Sequence, residues 1–149
     1  MKLLTQPNRW TCLITAYAMV FDETIESMIK LIGHDGSEII WQKQDEPKRR
    51  AGHTHHEMQY VARRLGYYLV DYKPCFGYAP PGEIKLMTRA FREWVDVLAT
   101  HEGVLSGSYQ GRSNSHAVAW DKGLIYDPTG HVSRIDEFDP LYFHAAIRA

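Results

Sequence analysis

The last third of the chain constrains the fold most, because it breaks into short apolar runs of strand length: "GVLSGSY", "HAVAW", "LIYD" and "VSRID". Gly, Asn, Asp and Pro separate these runs, and such residues turn a chain rather than extend it. Between the second and third runs, "DKG" leaves room only for a tight hairpin, so the two strands pair antiparallel.

The first two thirds carry helical patterns instead. Residues 12–21, "CLITAYAMVF", are apolar all round, as a buried helix is. Asp22 is placed to cap a second helix, whose Ile25, Met28, Ile29 and Ile32 keep helical spacing up to the stop at Gly33. "SEIIWQKQ" reads as a further turn or two of helix, and "DEPKRRAGH" as a polar, mobile loop. Thr54 and Glu57 fit a capping box, ahead of a helix with Met58, Val61, Ala62 and Leu65 on one face and a stop at Gly66. "YYLVDYK" then reads as a strand and residues 74–82 as a loop containing Cys75. From Glu83 to Thr100 an amphipathic helix is expected, with Ile84, Met87, Phe91, Trp94, Val95 and Leu98 as its buried stripe.

Helices first and an antiparallel sheet later give an α+β domain, with the N-terminal helices packed on the C-terminal sheet. The 149 residues suit a single domain, 1–149, around one core. A formal net charge of −1 gives no electrostatic reason to expect nucleic acid as a partner. No stretch reaches the about 18 apolar residues of a membrane span. "MKLLTQPNRW" lacks the apolar core of a signal peptide and leaves almost no room for an inhibitory pro-segment before Gln6. Two cysteines do not make a secreted disulfide framework, so a reducing, cytoplasmic setting is expected.

Cys12 opens the first helix, where unpaired N–H groups and the helix dipole favour a thiolate. A nucleophilic cysteine also needs a base, a group that orients the base, and donors for the oxyanion. His116 begins the strand "HAVAW" and Asp127 closes "LIYD", so the "DKG" turn brings both to the same end of one hairpin. Asp127 can then hold one ring nitrogen of His116 and leave the other for Cys12. Gln6, a few residues upstream, offers its amide as an oxyanion donor beside the Cys12 N–H.

Gln6, five intervening residues and Cys12 on an apolar helix resemble the papain-like cysteine peptidases, as does "SHAVAWDKGLIYDP" around their catalytic histidine and its partner. The short chain, the acidic third member and the "DP" after it are most similar to the C39-like branch, as are "DETIESMIKLIG" and "THHEMQYVARRLGYYL". The resemblance spans nearly the whole chain. It implies a papain-like fold and cleavage of a peptide or isopeptide bond in a protein or peptide substrate, without a cofactor. Cys12 would be the nucleophile, His116 the base, Asp127 its orienting partner and Gln6 the oxyanion donor.

The same triad supports deamidation or acyl transfer, and a non-catalytic binding module on the same fold is a further alternative. His53, His55 and His56, with His34 or His101, raise the idea of a metal. Adjacent histidines at a helix start point in different directions, however, and no partner shows metal-ligand spacing, so no metal is expected. Cys75 reads as packing. Trp10, Trp41, Tyr78, Tyr109 and Trp120 read mainly as core, with Trp10 the candidate to line a substrate groove. Residues 107–115, "GSYQGRSNS", are a flexible stretch placed to border the same cleft.

Overall fold

Helix α1 (Cys12–Phe21) is the axis of the fold, and every residue from Leu13 to Phe21 is buried. Its all-round apolar character follows, since it is covered on all sides by the other helices and the sheet. The computed structural model describes residues 1–40, 49–72, 96–109, 115–135 and 138–149. Expectations for Trp41, Cys75, Tyr78 and the helix over 83–95 fall outside the described residues, and so do 110–114 of the "GSYQGRSNS" stretch.

Asp22 does not cap the second helix. It adopts a left-handed conformation, φ 55°, and closes α1 instead. Thr24 caps α2 (Ile25–Ile32), its hydroxyl accepting from the Ser27 N–H at 3.0 Å, and Gly33 ends it at φ 96°. "SEII" also departs from expectation. Ile39–Ile40 (β1) is a short strand paired antiparallel with Arg49–Arg50 (β2), not a turn of helix. Gly36 and Gly52 make this pairing possible, because a Cβ on Gly36 would lie 2.7 Å from the Gly52 carbonyl oxygen. Of the loop expected over 45–53, residues 49 and 50 are thus in a strand. The Thr54–Glu57 capping box forms and starts α3 (His55–Arg64), which buries Met58, Val61 and Ala62.

The remaining strands are β3 (Tyr67–Tyr72), β4 (Glu102–Tyr109), β5 (His116–Asp121), β6 (Leu124–Asp127), β7 (His131–Ser133) and β8 (Phe138–Arg148). They form one antiparallel sheet in the order β3-β8-β4-β5-β6-β7. The α+β architecture expected from sequence is therefore present, with α1, α2 and α3 sharing the core on one face. No described helix is long and apolar enough to cross a membrane.

The turn between β5 and β6 is two residues long, and both Lys122 (φ 44°) and Gly123 (φ 110°) are left-handed. That geometry matches the twist of a tight hairpin. Alternation then sorts the β5 side chains. Ala117 and Ala119 join the core under α1, whereas Val118 and Trp120 join a second core on the other face with Leu105, Ile125 and Phe143. Residues 96–100 are helical, and Leu98 reaches this second core, its carbonyl accepting from the Trp120 indole at 2.8 Å. Burying each such large apolar side chain stabilises the fold by roughly 1.5–3 kcal/mol.

Strand β8 has no counterpart among the expected elements, although it lies between β3 and β4 as the second strand of the sheet. Pro140 disguises it, and the register shifts at that point, with Gly107 opposite Pro140. Gly103 and Gly107 accept the close approach of β8; a Cβ on either would lie within 2.2 Å of a β8 carbonyl oxygen.

Candidate active site

The N-terminus of α1 meets the starting end of β5, and this junction brings Cys12 and His116 together. Thr11, the N-cap, offers no side-chain bond to the helix, and no acidic residue occupies the first turn. The amides of the first turn are left to serve the sulfur. Burial on its own would raise the Cys12 thiol, but the hydrogen bond to His116 and the backbone N–H groups of Ala117 and Leu13 bring it below its ordinary value.

Ile125 lies opposite Trp120 in the β5–β6 pair, so Asp127 and His116 fall on the same face of the hairpin. His116 Nε2 lies 3.0 Å from Asp127 Oδ1, leaving Nδ1 for Cys12. Burial pulls the imidazole downward, yet its bonds to Asp127 and Cys12 outweigh that and raise His116 to about 9.

Asp127 is fully buried and its oxygens are heavily engaged. Oδ1 also accepts from the Thr129 N–H and the Thr129 hydroxyl, both at 2.7 Å, and Oδ2 accepts from the Tyr109 hydroxyl. Burial alone would favour the neutral acid. The donors from His116, Tyr109 and Thr129 win and hold the carboxyl well below the usual carboxylate range. His131 Nε2 lies 3.8 Å from Oδ2, across the β6–β7 hairpin, where Asp127 and His131 are register partners.

These groups line one open cavity of about 400 Å³, together with Gln6, Arg9 and Ser115. That volume falls in the range of small-molecule and peptide subsites. Gln6 is tied down by its own N–H, which donates to the Pro128 carbonyl at 2.8 Å. Its side chain lines the cavity, and its Oε1 is enclosed without a hydrogen-bond partner among the described residues.

Four of the residues singled out from sequence thus share one site: Gln6, Cys12, His116 and Asp127. Trp10 stands apart from the cavity. The Arg50 guanidinium lies 5.2 Å above its ring and its backbone carbonyl abuts Gly52, so it packs under β2. Tyr109, Thr129, His131 and Arg9 complete the site. Thr129 was visible in principle, because a Thr two residues after an Asp commonly folds back onto it. Tyr109 and Ser115 lie in the stretch expected to border the cleft.

The other histidines disperse. His34 pairs with Glu57 at 2.6 Å, and the His53 ring stacks on His34. His55 turns inward between Tyr17 and Ser106, at 3.2 and 3.1 Å. Among the described residues no set of three or more His, Cys, Asp or Glu side chains is grouped to hold a metal ion. No protein-family model, curated protein or solved structure matches this chain.

Proposed function

We propose that this protein is a cysteine peptidase of the papain-like superfamily, C39-like in type, cleaving a peptide or isopeptide bond. The observation that carries this reading is the convergence at the head of α1: Cys12 and His116 line one cavity, and His116 Nε2 lies 3.0 Å from Asp127 Oδ1. A lowered thiol beside a raised imidazole favours the thiolate–imidazolium pair, which is the reactive form of such a site.

Catalysis then follows from the positions of the groups. Substrate enters the cavity with its carbonyl carbon at the Cys12 sulfur. The thiolate attacks, forming a C–S bond, and the oxyanion takes the Cys12 N–H and Gln6 Nε2 as donors. His116 gives its proton to the departing amine as the C–N bond breaks, leaving a thioester. Water attacks that thioester, His116 takes one of its protons, and the carboxylic acid leaves as the thiolate re-forms. Asp127 fixes the ring orientation and stabilises the imidazolium throughout. A reducing compartment suits the reaction because it keeps the Cys12 thiol free.

The test is hydrolysis of a denatured protein or peptide pool, followed by mass spectrometry of the products. Cys12→Ala should abolish cleavage while leaving the circular dichroism spectrum unchanged. Full cleavage by that variant overturns the assignment. Ammonia release without chain cleavage points to deamidation by the same residues, and absence of any turnover by the native chain points to a binding module.

A further inference from the structure

We infer that the cavity selects an acidic substrate residue beside the scissile bond, with Arg9 receiving its carboxylate. This rests on the peptidase reading above and concerns which substrates that site admits.

Among the described lining residues, Arg9 is an exposed charged group with no ion-pair partner. Arg9 stands three residues before the nucleophile, is exposed, and lines the same cavity as Cys12. It forms no ion pair or hydrogen bond with any described residue. Its guanidinium therefore keeps its full set of donors for a ligand, in the forked geometry that matches a carboxylate. The one carboxylate among the described lining residues, Asp127, is fully buried and engaged by His116, Tyr109 and Thr129. It presents no negative charge to balance Arg9. The His116 imidazolium stands between Asp127 and Cys12, whose negative charges offset it.

Among the described residues the lining contains no aliphatic side chain, Tyr109 and Cys12 being its least polar members. An aliphatic substrate residue would leave the Arg9 guanidinium without a partner. A basic residue would meet Arg9 as a like charge. An acidic residue gains a bidentate partner in a partly enclosed site, where attraction exceeds that in open water.

The experiment separates this inference from the peptidase reading by using thiol alkylation, which needs no peptide cleavage. The probes are iodoacetate, an anion, and iodoacetamide, its neutral analogue, applied at pH 7 to the native chain, Arg9→Gln and Arg9→Glu. The rate ratio of iodoacetate to iodoacetamide should fall about threefold or more in Arg9→Gln and further in Arg9→Glu, as expected for loss and reversal of one nearby charge. The native ratio should also decline in about 1 M salt, which screens charge beyond a few ångströms. A ratio unchanged by both substitutions, at a Cys12 that still reacts faster than a free thiol, overturns the acidic preference and leaves the peptidase reading standing. A Cys12 no faster than a free thiol with either reagent overturns both. With peptide substrates, Asp or Glu within two residues of the cut should be enriched for the native chain, and Arg9→Glu should move the enrichment toward Lys or Arg.

Discussion

His116 Nε2 lies 3.0 Å from the Oδ1 of Asp127, a carboxylate with no exposed surface that also accepts from Tyr109 and Thr129. This contact, with the bond to Cys12, keeps the imidazole protonated up to about 9. Peptidase activity that depends on the imidazolium should therefore decline as pH rises through about 9. Asp127→Asn keeps the shape of the side chain but removes its charge, so the alkaline limb of the kcat/KM profile should move down by about one pH unit or more. A limb that stays near 9 in the variant would show that Asp127 does not set the state of His116.

Tyr109 gives Asp127 a second kind of support. Its hydroxyl donates to Oδ2, and its ring meets Phe138 edge-on at 5.1 Å. Tyr109→Phe keeps the ring contact and removes the donor. A buried carboxylate oxygen left short of a donor costs about 1–3 kcal/mol. The urea midpoint should fall accordingly at neutral pH, with the loss shrinking in Tyr109→Phe/Asp127→Asn relative to the sum of the single changes. Additive losses would mean that the hydroxyl acts elsewhere.

What could be read beforehand followed from local patterns. The Cys12 position, the "DKG" hairpin and the capping box at Thr54 each depend on a few neighbouring residues, and the sequence carries them openly. The parts that escaped depend on distant partners. Strand β8 pairs with β3 and β4 through backbone groups, and its Pro140 argues against a strand until Gly107 is seen opposite. Trp10 sits two residues before Cys12 in sequence, yet its ring packs with Arg50 from a different element. The stacking of His55 on His144, 89 positions apart, leaves no trace in spacing.

Gly107 makes the β4–β8 approach testable. A Cβ there would lie 2.1 Å from the Asp139 carbonyl oxygen and 2.9 Å from Pro140 Cα, both backbone atoms that cannot swing aside. Gly66 has a positive φ of 80° but nothing within 4 Å of such a Cβ. Gly66→Ala should therefore cost only about 1 kcal/mol for the strained backbone. Gly107→Ala should cost more than about 3 kcal/mol or prevent folding, since the strands themselves must separate. Comparable urea midpoints for the two variants would contradict the close approach.

The His55–His144 stack gives the fold an acid limit distinct from the candidate site around Cys12. The rings lie 3.8 Å apart, and His55 is enclosed by Tyr17 from α1, Ser106 from β4 and His144 from β8. His144 in turn bonds Asp71 of β3 through Nδ1 at 2.6 Å. Burial first, and then the neighbouring His144, lower His55 to about 4, against a small opposing pull from Asp71. The unfolded chain binds its proton near 6.5, so between about 6.5 and 4 it holds more protons at this residue than the folded chain does. Stability contributed by neutral His55 is thus complete above about 6.5 and is lost as pH falls toward 4. His116 behaves oppositely, contributing below about 6.5 and losing its contribution as pH rises through about 9. Urea midpoints taken from about pH 6.5 down to 4.5 should decline in the native chain, and His55→Gln, which keeps polar reach without a titrating ring, should flatten that decline. An equally steep decline in His55→Gln would assign the acid limit to other groups.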